Sequence, residues 1–502
     1  MSARTAILAV STLLVAATAA CASHPAATPS PAPAAVEAPV PAAQPKAVDI
    51  TKPPELAPPP TLDLPPIVTR KLGNGLSLMI VEQHELPVAD FIMLVHTGGE
   101  ADPSRLGGLA SLTADMLDEG TRTRNALQIA DQIAFLGADL STSSGWDRSV
   151  VSLHTTTAQM DSALALFADV VLKPAFPEAD LARVRKERLT SLLQLEDYGP
   201  AIADRVFDRV VFGDRNPYGH PISGTRESVT GIARSDLSSF YSKYYRANNA
   251  TLIVVGDVKP DDVERRAQSL FGSWERGEIP ATQYGPARPS RGRTIYLVDK
   301  PGAAQSSFRI GGVGVARSTP DYFAIEVMNT ILGGSFTSRL NQNLRETHGY
   351  TYGAFSSFAM RRQPGPFTAE AEIVAAKTDS ALLQFMAELR GIRDSVPDSE
   401  LTKTKQLLQL QLPGDFETTR SIASRLVPVA IYDLPLDFYN QYVGRIGAVT
   451  QSDVQRVARE EIKPDSFDIV IVGDGKVVEP ALNALSIAPL KRLTVQGDPV
   501  QP

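Results

Sequence analysis

Two stretches of the chain, DLSSFYSKYYRANNATLIVVGD and DVQRVAREEIKPDSFDIVIVGD, each read as an amphipathic helix, a short connection and a buried strand closing in Val-Gly-Asp. The first runs from Asp236 to Asp257 and the second from Asp453 to Asp474, so both ends are offset by the same 217 residues. A matched offset of this kind marks an internal duplication. The expectation is two equivalent halves, 62–275 and 294–485, with a tail at 486–502. Between them, 276–293 is rich in Pro, Gly and Arg and reads as the linker.

Within each half strands gather and helices come in runs, which is an α+β pattern. TRKLGNGLSLMIVEQ reads as two strands joined at Gly73, Asn74 and Gly75, VADFIMLV as a buried strand, and 148–156 as an alternating one. Helical spacing is found over 107–119, 125–136, 158–172, 178–196 and 200–212. The expected fold is two homologous halves, each a mostly antiparallel sheet flanked by helices.

Arg4 precedes an apolar run from Ala6 to Ala17, followed by Thr18, Ala19, Ala20 and Cys21, the order of a secretory leader ending in small residues. The segment resembles a bacterial lipoprotein signal, 1–21, which implies lipidation of Cys21. Ordinary cleavage and release is the alternative. Residues 22–61 are dominated by Ala and Pro and form an extended tether rather than a core. Ala22 does not supply the aspartate of inner-membrane retention, so the expected location is the bacterial cell envelope: a lipid anchor in the outer membrane, facing the periplasm.

Cys21 is the only cysteine, which excludes intrachain disulfides and multi-cysteine metal sites. A formal net charge of -7 leaves no basic excess for a phosphate backbone, so nucleic acid is not an expected partner. The six histidines, His24, His84, His96, His154, His220 and His348, include no pair at helical ligand spacing, and none is assigned as a metal ligand. No GxSxG nucleophile motif occurs. GGVGVA at 311–316 and GDGK at 473–476 lack the context of a nucleotide loop.

After the strand ending in HTGGEADPSR comes GLASLTADMLDEGT, residues 108–121. This stretch resembles the pitrilysin and insulinase-type zinc metallopeptidases, whose inverted motif HxxEH places two histidines on one helical face with a glutamate beside the second. Here the histidine positions are Ser111 and Asp115 and the glutamate position is Ala114. Counting back from Glu196 and Asp197 puts the third ligand position at about Ser191. Such a set cannot replace two imidazoles and a carboxylate, so no metal is expected in this chain.

The second half carries ILGGSFTSRLNQNLRETHGYTYGAFSSF, residues 331–358, read as a helix broken at Gly333 and Gly334, a second helix over 337–346, and a strand. It resembles the family's second-half signature, and Arg345 and Tyr352 match the arginine and the tyrosine seven residues later. Arg339 and Leu340 match its serine-arginine-leucine step, with Arg339 read as structural. The resemblance implies that Arg345 clamps a substrate carbonyl and Tyr352 donates a hydrogen bond in the transition state. From the residues alone, Arg345 closing its helix and Tyr352 packing in the sheet remains the other reading.

The resemblance implies a zinc-less subunit of a heterodimeric peptidase, with zinc and HxxEH supplied by a homologous partner and a peptide or unfolded protein as substrate. Autonomous peptidase activity is not expected. The rival is a catalytically inert scaffold or peptide-binding subunit. GADLSTSS (137–144) and GAFSSFAM (353–360) are each either an open strand edge for adding a peptide strand or an ordinary paired strand.

Overall fold

The computed structural model describes Pro58, residues 64–287 and residues 292–500. Cys21, the leader, and the tether apart from Pro58 lie outside the described residues.

Two six-stranded sheets organise the chain. The first contains β1 (Val68–Lys71), β2 (Ser77–Glu82), β3 (Val88–Val95), β4 (Asp139–Ser144), β5 (Ser149–Thr156) and β6 (Ala250–Gly256). The second contains β7 (Thr294–Asp299), β8 (Gln305–Val313), β9 (Ala354–Phe358), β10 (Pro366–Val374), β11 (Asp468–Gly473) and β12 (Leu490–Leu493). Their orders, β1-β2-β6-β3-β5-β4 and β12-β7-β11-β8-β10-β9, repeat one topology. β2 runs parallel to β6 as β7 does to β11, and the remaining inner pairs are antiparallel. β6 and β11 are the Val-Gly-Asp strands of the repeat. The last position differs: β1 is antiparallel to β2, whereas β12 comes from the expected tail and lies parallel to β7.

Long apolar runs in these strands follow from burial on both faces. Leu78, Ile80, Phe91, Met93, Leu252 and Val254 share a core with the helices of their own half. Their alternating neighbours Met79, Val81, Ile92, Leu94, Ile253 and Val255 join a core that includes Ile422, Leu426 and Val429. Those residues belong to a helix of the second half, Thr419–Ile431. The exchange is reciprocal. Helix Gly199–Phe212 of the first half lays Ile202, Val206, Phe207 and Val210 on Tyr296, Val298, Val470 and Val472 of the second sheet.

A buried polar contact fixes the same boundary. Asp147, in the β4–β5 turn and 2% exposed, accepts from the Tyr218 hydroxyl (3.2 Å), the Tyr432 hydroxyl (2.9 Å) and the Arg362 amide (2.8 Å). The neighbouring Arg361 places its guanidinium carbon 4.4 Å from the Tyr218 ring centroid and 4.8 Å from that of Trp146. Gly98 has to be glycine here, since a Cβ would stand 2.2 Å from the Gly145 carbonyl oxygen.

Candidate functional site

The helix expected over 107–119 is shorter, α1 (Leu109–Asp115). It starts where Gly108 turns through φ +91, and Asp102 accepts from the Gly108 and Ala110 amides at 2.8 Å each. A carboxylate on the first amides of a helix satisfies donors that have no partner within it. α1 lies beside β4 and β5, and its inner face carries Leu109, Leu112 and Ala114, all buried.

Ser111 and Asp115 occupy the half-buried face of α1, one turn apart. Opposite them is Arg188, from α2 (Glu178–Leu195). Its Nη2 donates to Ser111 Oγ at 3.1 Å and pairs with Asp115, while Nη1 donates to the Ser223 carbonyl at 3.0 Å. Ser191, placed opposite α1 by the sequence count, is exposed and donates to the Glu187 carbonyl of its own helix at 3.1 Å. The residue of α2 that meets Ser111 and Asp115 is Arg188, three positions before Ser191.

This set does not fit zinc. Ala114 has no donor, Ser111 has only a hydroxyl, and a guanidinium is a cation without a lone pair to offer. Arg188, with its side chain 13% exposed, stands against the helix face as a fixed positive charge. Among the described residues no group of three or more His, Cys, Asp or Glu could hold a metal ion. His84 pairs with Glu82 and Asp257, His96 with Thr251, and His154 with Asp90. His220 bonds the Asp214 carbonyl, and His348 stacks on Tyr350. Burial and the nearby Arg362 push the His96 imidazole down to about 4.

In the second half the expected helix over 337–346 is an α-helical turn, Arg339–Asn341, followed by a π-helical turn, Gln342–Thr347. Such a turn inserts a residue into the helical ladder and re-aims the side chains after it. Arg345 lies on it, with its guanidinium carbon 4.3 Å from the Phe336 ring centroid. Its Nη1 is 3.0 Å from Glu346 Oε1, yet this buried nitrogen makes no aligned hydrogen bond. Tyr352 is 91% exposed, so it does not pack in the sheet. Arg339 ties its turn to the next layer by donating to Glu400 (2.6 Å) and to the Ser395 carbonyl (2.8 Å).

Both segments read as candidate edges are terminal strands, β4 and β9. They differ on their outer rims. β9 is sealed: Ala354 N–H donates to Asn341 Oδ1 (2.9 Å), Ser356 N–H to the Gly333 carbonyl (3.2 Å), and Asn329 Nδ2 to the Ser356 carbonyl (3.0 Å). On β4, among the described residues, backbone pairing is confined to β5 and the turn into it. Sequence reasoning missed Arg188 and Phe336. Arg188 is one of four basic residues in LARVRKERL, and nothing in that run marks which of them faces α1.

Two family models match: insulinase (peptidase family M16) over residues 78–211 and the peptidase M16 inactive domain over 231–408. Curated relatives include an uncharacterized zinc protease of Rickettsia bellii, 25% identical over 343 residues, 68% of this chain and 82% of the relative. One of Mycobacterium leprae is 28% identical over 360 residues, 70% and 79%. Among solved structures, a peptidase M16 inactive domain from Pseudomonas fluorescens aligns with a TM-score of 0.76 at 28% identity, covering 81% of this chain and 98% of that one. A protease from Helicobacter pylori has the same fold, with a TM-score of 0.76 at 21% identity, covering 82% and 100%. Together with the duplicated sheet topology and the residues of 331–358, these likenesses give the conclusion that the chain belongs to the insulinase, or M16, peptidase family.

Proposed function

We propose that this chain is the non-zinc-binding subunit of an M16-type peptidase and lends Arg345 and Tyr352 to a homologous, zinc-bearing partner. The observation that carries the reading is the asymmetry between its halves. The first half turns a guanidinium toward Ser111 and Asp115, where a metal would need lone pairs. The second half presents an arginine with an unfilled buried donor and a fully accessible phenol.

A peptide carbonyl under attack gains negative charge, and donors already in place stabilise it without reorganising. Arg345 supplies a planar fork to a carbonyl, and Tyr352 a hydroxyl to the developing oxyanion or its neighbour. Neither generates a nucleophile, which has to come from the partner's metal. The substrate class is a peptide or an unfolded segment. The leader and the cysteine at its end support placement in the cell envelope, held to the outer membrane by lipid on Cys21 and facing the periplasm.

The test is reconstitution with the zinc-bearing chain that co-purifies with it. Arg345→Ala and Tyr352→Phe, assayed on an unstructured peptide with assembly checked by gel filtration, should each lower turnover at least about tenfold. Full turnover in both variants with assembly intact overturns the reading. The open rim of β4 favours a second reading, a subunit that captures extended peptides and contributes nothing to cleavage. That reading predicts peptide binding by the isolated chain and indifference of the pair to both substitutions.

A further inference from the structure

We propose that Phe336 is a positioning residue for Arg345, an aromatic platform that holds the guanidinium in place over its ring; this rests on the role given to Arg345 above. Phe336 is 61% exposed, a large apolar ring left mostly in water. The contact the structure gives it is the Arg345 guanidinium, 4.3 Å above the ring centroid. A cation over a ring face is attracted by the ring quadrupole, and a planar guanidinium stacked there keeps its N–H groups directed along its own plane.

The platform is itself held. Phe336 follows the sharp turn at Gly333 and Gly334, whose amides both donate to the Asn329 carbonyl, at 2.8 and 2.7 Å. Ser335 Oγ donates to the Thr330 carbonyl at 3.2 Å, and Asn341 Nδ2 to the Ser335 carbonyl at 3.3 Å. The Gly333 carbonyl accepts from Ser356 on β9, so the loop is stitched to the sheet just beyond Tyr352. The ring is therefore a fixed surface on a rigid frame.

Glu346 shows what the platform prevents. Its carboxylate is 3.0 Å from Arg345 Nη1 but out of hydrogen-bond alignment. Free of the ring, the guanidinium would rotate into a bidentate pair with that carboxylate, a stronger acceptor than a peptide carbonyl. Contact with Phe336 withholds that rotation and leaves Nη1 without an acceptor of its own.

The experiment uses the co-purified, zinc-loaded pair and an internally quenched unstructured peptide. Phe336→Leu should lower kcat about three- to tenfold with KM within about twofold, Phe336→Trp should stay within about twofold of wild type, and Glu346→Gln added to Phe336→Leu should recover part of the loss. The Arg345 Nε–H resonance, assigned by Arg345→Lys, should lose its ring-current shift in Phe336→Leu and keep it in Phe336→Trp. Wild-type kcat in Phe336→Leu while Arg345→Ala is impaired overturns the platform and leaves the role of Arg345 standing. Equal losses in the Leu and Trp variants also overturn it. Wild-type turnover in Arg345→Ala removes both.

Discussion

Arg188 reaches from the middle of α2 to the hydroxyl of Ser111 on α1, Nη2 to Oγ 3.1 Å. Two helices that in a zinc-binding relative would be joined through a metal are here joined through a guanidinium, with Asp115 as counter-ion. One cation, the Arg188 guanidinium, bridges the two helices.

If α1 and α2 retain metal-site spacing, the site should return when its donors do. The triple variant Ser111→His, Asp115→His, Arg188→Glu puts two imidazoles one turn apart facing a carboxylate. It should bind stoichiometric zinc by atomic absorption after dialysis, where the wild type retains none at this helix. Arg188→Ala alone should cost about 1–3 kcal/mol in a urea melt, since it strips Asp115 and the Ser223 carbonyl of a charged partner.

The reciprocal helix exchange makes one cooperative unit of two halves. Phe207 belongs to the first half but is 2% exposed within the core built on the second sheet. Phe207→Ala should cost about 3–5 kcal/mol. Calorimetry should show a single transition moved down, and an early transition of the second half alone would contradict the exchange.

The duplication was legible because it is written in order and spacing: a helix, a connection and Val-Gly-Asp at the same offset. The departure from HxxEH at Ser111, Ala114 and Asp115 could be read from the sequence because that pattern is contiguous on one helix. Arg188 was not, since which residue of one helix faces another 77 residues away in the chain depends on tertiary register. Phe336 was hidden for a related reason: an exposed aromatic in a glycine loop acquires meaning only when a π-helical turn swings Arg345 over it. The sealed rim of β9 was equally out of reach. Its seals are the side chains of Asn329 and Asn341 and the carbonyl of Gly333, none of which carries strand periodicity.

Glu100 is 2% exposed, and burial, with Asp147 nearby, pushes its carboxyl up to about 8. The folded state therefore holds a proton that the unfolded chain has released above about 4.5. The contribution of this group is most favourable below pH 4.5 and is lost as pH rises through the window from about 4.5 to 8. Glu100→Gln keeps an acceptor for the Gly98 amide, which Glu100 Oε2 now meets at 2.9 Å. Relative to wild type, the variant should gain on the order of 2–4 kcal/mol between pH 5 and pH 8.5 in paired urea melts. Parallel pH profiles for the two proteins would rule this out.

The open rim of β4 gives the last prediction. The 2.8 Å bond from Gly145 N–H to the Arg148 carbonyl starts the alternation of the β4–β5 ladder. Counting from it in register, Ser143 with Val150 and Ser141 with Ser152 face inward as bonded pairs, which leaves the backbone groups of Thr142 on the outer rim. A proline at that position removes an amide with no backbone partner among the described residues, so Thr142→Pro should cost about 1 kcal/mol or less in stability. If an extended peptide docks by adding a strand here, the same change deletes one of its ladder bonds and bars its close approach. Binding of a labelled unstructured peptide, read by fluorescence anisotropy, should weaken at least about tenfold. Thr142→Val, which keeps the amide, should bind as wild type; equal affinity for the Pro and Val variants would mean that peptides dock elsewhere.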